Sequence, residues 1–176
     1  MSDTLMTIIA IFLAAILMFI FPLMTLADRN DDVTQLAIQT ATTELVDEIR
    51  TTGKLTLDKY NSFNTSIATT GNVYEIEMQF KILDENPAKK TAQTAGVTVI
   101  GENVYYSVYT TQIEDRLNTS SNQAYLLKEG DIVSISVKNR GATLAQSLRN
   151  IYYKVTGNES YTIAASSAGT VTVNGK

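Results

Sequence analysis

The chain of 176 residues contains neither cysteine nor histidine. Without cysteine it can form no disulfide bond and no thiolate metal site. Without histidine it lacks the commonest general base and the commonest metal ligand, which excludes enzymes that work through an imidazole. Sites for Ca²⁺ or Mg²⁺ are not excluded, because carboxylate oxygens alone can hold these cations.

Positive charge is also scarce. Lysine and arginine together number 14, against 18 aspartates and glutamates, and the formal net charge is −4. Proteins that bind nucleic acids neutralise phosphates with a basic stripe or patch, and the sequence contains none. We therefore expect no nucleic-acid partner.

The acidic residues do not form a recognisable catalytic or metal site. Asp131, in the run Glu129-Gly130-Asp131, lacks the spacing of an EF-hand loop and is expected to lie in a turn. Glu75 and Glu77 share one face of a predicted strand, roughly 7 Å apart, which is a separation that glycosidases use. Two solvent-facing glutamates of a strand more commonly serve solubility alone. The sequence therefore predicts no catalytic, cofactor-binding or metal-binding residue, and an enzyme is the least favoured class.

The first 27 residues form the longest apolar segment. No charged residue occurs from Thr4 to Ala27, and the run from Leu5 to Phe21 is almost wholly apolar. A helix of about 23 residues spans roughly 35 Å, which exceeds the ~30 Å hydrocarbon core of a bilayer. Its leucine, isoleucine and phenylalanine side chains favour insertion by roughly 4–8 kcal/mol. Residues 1–27 are therefore predicted to be a single transmembrane helix.

A cleaved signal peptide is the alternative for this segment, because Thr25-Leu26-Ala27 offers small residues at plausible cleavage positions. The apolar run is longer than an ordinary signal peptide needs, and no basic region precedes it. The sequence specifies the membrane orientation poorly. Arg29 lies among aspartates, so the positive-inside rule gives no clear direction. The rest of the chain is rich in threonine, serine, asparagine and tyrosine and poor in lysine. That composition favours an extracytoplasmic domain on a single-pass protein of the cell membrane.

Residues 28–53 are predicted to be an amphipathic helix that ends at Gly53. No helix-breaking residue separates it from the apolar segment, so the two can form one continuous helix. We expect its apolar stripe to pack on its own domain, and packing on a neighbouring subunit is a compatible alternative. The predicted stripe is Val33, Leu36, Ala37, Ala41, Leu45 and Ile49.

Residues 54–176 are predicted to be an α+β domain. Thr56 is expected to cap a short helix whose apolar face carries Leu57, Tyr60, Phe63 and Ile67. Alternating patterns predict strands over Tyr74–Ile82, around Val133–Val137, and as a final strand or pair of strands between Tyr161 and Val173. The segment from Val104 to Thr111 is compatible with a strand or with the start of a helix. Its tyrosines are expected to be half-buried in a sheet, and a binding surface is the alternative. Further elements are predicted as a short apolar stretch at Val97–Ile100 and a short amphipathic helix with Leu144, Leu148 and either Ile151 or Tyr152.

The resulting fold class is α+β. A long N-terminal transmembrane and amphipathic helix is followed by a small antiparallel sheet of about four strands with one or two short helices. The apolar sides of helix and strands are expected to bury each other.

The order of these elements resembles that of pilin-type subunits, and the C-terminal half narrows the resemblance. The segments Gly130–Val137 and Tyr161–Val171 are similar to TadE-like pseudopilins of tight-adherence (Tad) pilus systems, in which an alternating strand is followed by a final strand rich in threonine and alanine. The resemblance does not extend to a short basic leader or to a glutamate near the start of the helix, so it does not establish whether a prepilin peptidase processes the N-terminus.

This resemblance implies a membrane-anchored minor pilin or pseudopilin that assembles in, or primes, a surface filament or related secretion assembly. Its expected partners are the lipid bilayer, other pilin-like subunits and the pilus or secretion machinery. Oligomers are expected to form through the N-terminal helix, where Ala10, Ala14 and Ala15 allow close approach. The alternative is a stand-alone membrane-anchored surface or binding module of the cell envelope.

Overall fold

The computed structural model describes residues 2–84, 105–143, 146–147 and 162–176. Its longest element is helix α1, Ser2–Thr52, which runs through Pro22 without interruption. The predicted continuous helix is therefore confirmed. Gly53 follows with a φ of 69°, a left-handed conformation that glycine adopts without steric cost, and this ends the helix where the sequence predicts.

The described part of the chain contains two further helices and six strands. Thr56 caps the first short helix, because its hydroxyl accepts a hydrogen bond from the Lys59 N–H. The segment that the sequence left undecided is a strand followed directly by a helix. In chain order the elements are β1 (Lys54–Thr56), α2 (Leu57–Ala68), β2 (Tyr74–Leu83), β3 (Tyr105–Tyr109), α3 (Thr110–Thr119), β4 (Ala124–Leu126), β5 (Ile132–Asn139) and β6 (Ala164–Thr170).

The strands form two antiparallel sheets. The larger sheet has the order β3-β2-β5-β6, and β1 pairs with β4 in a separate two-stranded sheet. The predicted antiparallel α+β layout is confirmed, but the estimate of about four strands is wrong, because six are present in the described residues. Strands β1 and β4 have three residues each, which is too short for an alternating pattern to reveal them. The final segment forms one strand in the described residues, with Gly169 inside it.

Two sequence predictions lie outside the described residues. They are the apolar stretch at Val97–Ile100 and nearly all of the helix with Leu144, Leu148 and Ile151. Gln146 and Ser147 are described and are helical.

The predicted apolar stripe of α1 is wrong in its N-terminal part. Leu45 and Ile49 are buried as expected, but Val33 and Leu36 are 62% and 68% exposed. The helix is rotated so that polar side chains lie on its inner face, where hydrogen bonds satisfy them. Thr42 illustrates the reason, since its buried hydroxyl donates to the Ile38 carbonyl. The buried positions follow the helical period as Ala27, Asp31, Thr34, Ile38, Thr42, Leu45, Val46 and Ile49.

The C-terminal half of α1 packs on β6 and β5, and α2 packs on α1. This arrangement buries one hydrophobic core against one face of the larger sheet. Phe80 and Tyr125 meet at its centre with their rings edge to face, 5.3 Å between centroids. The other fully buried side chains include Ile38, Ile49, Leu55, Met78, Ile113, Leu117, Leu127, Ile135 and Ile163.

Candidate functional site

The N-terminal half of α1 is the most conspicuous surface of the protein. It is the one helix of the described residues that is long and apolar enough to cross a membrane, and none of its most apolar stretch is buried. The core helix of a soluble protein would be mostly covered, and this one projects away from the domain. Its length, composition and position near the N-terminus also fit a signal sequence. The structure therefore supports one candidate membrane span.

Apolar exposure continues beyond this span. Val33, Leu36 and Ala37 are exposed on the outer side of α1, away from the face that packs on the domain. They recur at helical spacing and form a strip that we call the outer stripe. The outer stripe places apolar side chains next to the charged residues that follow the span, in a part of the helix that is not covered by its own domain.

The inner side of α1 is attached to the sheet edge by polar side chains. Gln35 and Ala164 exchange two hydrogen bonds, and Gln39 Nε2 lies 3.5 Å from the Ser166 carbonyl oxygen. Near the helix end, Arg50 Nε donates to the Thr170 carbonyl over 3.1 Å. These bonds occupy main-chain groups of β6 that would otherwise be open at an edge strand. They fix the direction of α1 relative to the sheet.

A cleft of about 530 Å³ lies where α1 leaves the apolar span and meets the domain. One wall comes from the last apolar residues of the span. The opposite wall is polar and includes Asp31 of α1 and the turn after α2. The apolar wall is Leu23, Leu26 and Ala27, and the polar wall contains Asn30, Asp31, Thr143 and Thr70–Asn72.

Asp31 is the charged group of this cleft, and its side chain is almost fully covered, with 3% of the residue exposed. Its Oδ2 accepts a hydrogen bond of 2.7 Å from the hydroxyl of Thr143. Thr143 and Gln146 exchange hydrogen bonds as a capping box at the start of a helical turn, which holds the Thr143 hydroxyl in place. No lysine or arginine is among the described residues that line the cleft.

The acidic residues considered in the sequence lie elsewhere and have structural surroundings. Asp131 is buried, and its two carboxylate oxygens accept the N–H groups of Leu83 and Lys128 at 2.8 and 2.7 Å. Glu75 and Glu77 are exposed on the outer face of β2, and Glu77 forms an ion pair with Lys138 at 3.2 Å. In the described ranges no group of three or more acidic side chains could hold a metal ion.

The tyrosines of β3 lie at the other edge of the sheet. Tyr105, Tyr106 and Tyr109 are 39%, 46% and 57% exposed. The predicted sheet location is confirmed, and roughly half of each side chain remains accessible to solvent. These half-exposed tyrosines form one surface at which a binding partner could be recognised.

Sequence reasoning missed the cleft and the role of Asp31. Asp31 lies within the predicted amphipathic helix of residues 28–53, but its side chain contacts Thr143, which is 112 residues further along the chain. One local signal was present, because Thr143-Leu144-Ala145-Gln146 matches the capping-box pattern. It could have placed a helix start at Thr143, but not beside Asp31.

Comparison with known proteins gave no match to a protein-family model, to a curated protein or to a solved structure.

Proposed function

We propose that the chain is a membrane-anchored structural subunit, a pseudopilin or minor pilin of a Tad or type IV-like pilus or of a related secretion assembly. The observation that carries the proposal is the construction of α1. A single helix of 51 residues is apolar and uncovered in its first half and docked on an antiparallel sheet in its second half. Such a helix can hold a domain at a membrane and still present a face to neighbouring subunits.

The outer stripe supports assembly rather than simple anchorage. A tether needs apolar surface only within the bilayer, whereas Val33 and Leu36 lie beyond the charged residues that mark its end. Exposed apolar side chains outside the lipid are stabilised when another protein surface covers them. The proposed partner surface is the same part of α1 in a sister subunit.

The domain is proposed to lie outside the cytoplasm. Protease shaving of intact cells, followed by detection with an antibody to residues 105–176, tests this placement. Loss of the signal supports the proposal, and full protection in intact cells with digestion after lysis contradicts it. Carbonate washing of membranes tests the anchor, since a peripheral protein is released and an integral one is retained.

Assembly is tested by disulfide cross-linking, for which the absence of cysteine makes the chain well suited. Leu36→Cys places one thiol on the outer stripe, and Asp58→Cys places one on the exposed side of α2 as a control. We expect oxidation in membranes to give covalent dimers of the first variant and few of the second. Equal yields, or a protein that is always monomeric after mild detergent extraction, would contradict the proposed assembly.

A stand-alone binding module of the cell envelope is the second candidate. The exposed tyrosines at the β3 edge favour it, because tyrosine is enriched at recognition surfaces. Replacing Tyr106 and Tyr109 by serine separates the two candidates. A binding module loses its partner in such a variant, whereas subunit association through α1 is unaffected.

A further inference from the structure

We infer that one end of the larger sheet rests on the bilayer surface, where Val73 enters the headgroup layer and Arg140 binds the phosphate groups of phospholipids. Val73 directly precedes β2 and Arg140 directly follows β5, and we call this pair the basal edge. The inference rests on the membrane anchorage proposed above and adds a second contact between the domain and the same membrane.

The hydrogen bonds between α1 and β6 give the direction of the sheet relative to the apolar span. Gln35 bonds to Ala164, and Arg50 bonds to Thr170, so β6 runs in the same direction as α1. Between these two contacts the helix advances about 22 Å and the strand about 20 Å, so the two are nearly parallel. The sheet therefore has one end near the span and the other end far from it.

The same contacts give the height of the basal edge above the span. Gln35 lies eight residues, or about 12 Å, beyond Ala27, which ends the uncharged run. Ala164 lies beside Gln35 and pairs with Lys138, and Arg140 lies two residues, or about 7 Å, back toward the span. The main chain of Arg140 is therefore about 5 Å beyond the apolar run. The headgroup layer extends about 5–8 Å beyond the hydrocarbon core on each side, so this height falls within it.

The residues just before Val73 give the same height from a different contact. Gly71 and Asn72 line the cleft together with Leu23 and Leu26, which belong to the apolar span. The turn that leads into β2 therefore lies level with the last residues of the span.

Hydrogen bonds hold the basal edge in place. The Arg140 N–H donates to the Val73 carbonyl over 2.9 Å and joins the two residues. The Tyr74 hydroxyl bonds to the Thr70 hydroxyl at 2.7 Å and accepts from the Asn72 amide at 3.3 Å. The turn before β2 is thus fixed by its own side chains, and a membrane contact at Val73 does not require it to fold first.

The exposed side chains of the basal edge match the chemistry of the headgroup layer. Val73 is 69% exposed, and covering it with lipid removes apolar surface from water. Arg140 is also exposed, and a guanidinium group binds phosphate oxygens in a bidentate manner. No charged residue occurs from Tyr60 to Tyr74, so no charge in this turn opposes its approach to lipid.

The test places one fluorescent label on a single introduced cysteine of the full chain, which has no cysteine of its own, in phosphatidylcholine vesicles. Val73→Cys reports on the basal edge. Leu126→Cys is the matched control, because Leu126 is also apolar and exposed, at 49%, but pairs with Lys54 at the opposite end of the domain. Leu13→Cys reports on the span. Lipids with a nitroxide on the headgroup or on the acyl chain quench the labels that they contact. We expect the headgroup nitroxide to quench the label at 73 and not at 126, and the acyl-chain nitroxide to quench the label at 13.

A second pair of variants tests the role of Arg140. Arg140→Gln removes the charge of the basal edge, and Lys81→Gln removes an exposed charge near the far end of β2, where Lys81 pairs with Ile132. We expect Arg140→Gln to lower the ratio of quenched to unquenched label at 73 by up to about fivefold, the weight of one exposed ion pair. Lys81→Gln should leave this ratio unchanged. Equal ratios in the two variants would overturn the phosphate contact of Arg140.

The three labels separate the possible failures. If the label at 13 is quenched and the label at 73 is not, the inference is wrong and the anchorage stands. If the label at 13 is not quenched, the proposed anchorage fails and the inference fails with it. Equal quenching at 73 and 126 would show that the domain adsorbs without a preferred face. If oxidation of Val73→Cys instead yields covalent dimers, a second copy covers the basal edge and the assignment to lipid is overturned.

Discussion

Gln35 holds Ala164 with both atoms of its side-chain amide. Its Nε2 donates to the Ala164 carbonyl over 2.6 Å, and its Oε1 accepts the Ala164 N–H over 3.0 Å. A neighbouring strand would form the same pair of bonds, so the helix side chain takes the place of a strand at the edge of the sheet. This contact both protects the edge of β6 and sets the angle between α1 and the sheet.

We expect Gln35→Ala to lower the free energy of unfolding by about 1–2 kcal/mol, because two hydrogen bonds are lost at a partly solvated position. Gln39→Ala is the matched control. Its contacts with Ser166 and Thr43 are 3.5 and 3.4 Å long, and we expect a loss of no more than about 0.5 kcal/mol. Both losses of stability are measured by urea unfolding of the full chain in detergent, with the circular dichroism of the tyrosines as the signal. Equal losses would show that the two hydrogen bonds between Gln35 and Ala164 stabilise the fold no more than the longer contacts of Gln39 do.

Alanine substitutions at three glycines distinguish the cost of backbone strain from the cost of steric collision. Gly71 has a φ of 80° and open space around its Cα, so Gly71→Ala introduces strain alone, about 1 kcal/mol. At Gly175 an added methyl group would collide with the backbone of Gly53. Gly53 combines a φ of 69° with contacts to the backbone of Val173 and Gly175.

We therefore expect the loss of stability to increase from Gly71→Ala to Gly175→Ala to Gly53→Ala, with the last exceeding about 3 kcal/mol. The reason is that the C-terminal tail packs against the end of α1. There the Gly175 N–H donates to the Leu127 carbonyl, and the Leu127 N–H donates to the Gly53 carbonyl. Thermal unfolding midpoints of the three variants provide the measurement. A Gly175→Ala variant as stable as the parent would mean that the tail can move aside.

Stability is expected to fall at alkaline pH because of Tyr60. Burial, together with a hydrogen bond to Glu114, raises the pKa of Tyr60 from 10.0 to about 12. The unfolded chain loses this proton near pH 10, whereas the folded chain keeps it until about pH 12. Between these values the unfolded state binds fewer protons, so the free energy of unfolding decreases as the pH rises. The stabilisation is complete below pH 10 and is lost progressively through pH 12.

The measurement is the unfolding midpoint as a function of pH for the parent and for Tyr60→Phe. The expected contribution of Tyr60 is up to about 3 kcal/mol, since its pKa rises from 10.0 to about 12 and one unit of pKa corresponds to ~1.4 kcal/mol. Tyr60→Phe should be less stable at neutral pH, because it lacks the bond to Glu114, and should lose less between pH 10 and 12. Burial also raises the pKa of Tyr125, so some slope remains in the variant. Parallel curves for the two proteins would contradict the assignment to Tyr60.

The features of the fold that depend on local pattern could be predicted from the sequence. The uninterrupted helix follows from an apolar run that continues into a helical pattern without a breaker, and β2 follows from the alternation between Tyr74 and Ile82. Strands β1 and β4 could not be predicted, because main-chain pairing over three residues leaves no trace in side-chain pattern. The rotation of α1 was misjudged because Asp31 and Thr42 are polar yet face inward, where Thr143 and the Ile38 carbonyl bind them.

The candidate sites also differ in whether the sequence alone could predict them. The candidate membrane span is one contiguous segment, so its composition alone is enough to predict it. The cleft is formed by residues from the end of the span, from the turn after α2 and from Thr143, and only the folded chain brings these together. The exposure of the outer stripe likewise depends on which side of α1 meets the sheet, and sequence periodicity alone gave the wrong side for Val33 and Leu36.

The correction to α1 gives the sharpest test of subunit assembly, because Leu36 and Ile38 are similar in size and two positions apart but face opposite ways. Leu36 is 68% exposed on the outer stripe, and Ile38 is 1% exposed in the core. We expect Leu36→Asp to leave the unfolding midpoint of the domain within the range of an ordinary surface substitution, about 0.5 kcal/mol, while it prevents co-purification with sister subunits. Ile38→Asp should unfold the domain, because it buries an unpaired charge. Measuring the unfolding midpoint together with cross-linked dimer yield distinguishes the two effects. A Leu36→Asp chain that is well folded and still assembles would show that the outer stripe faces solvent in the working protein, and the structural-subunit proposal would then lose its main support beyond the anchor.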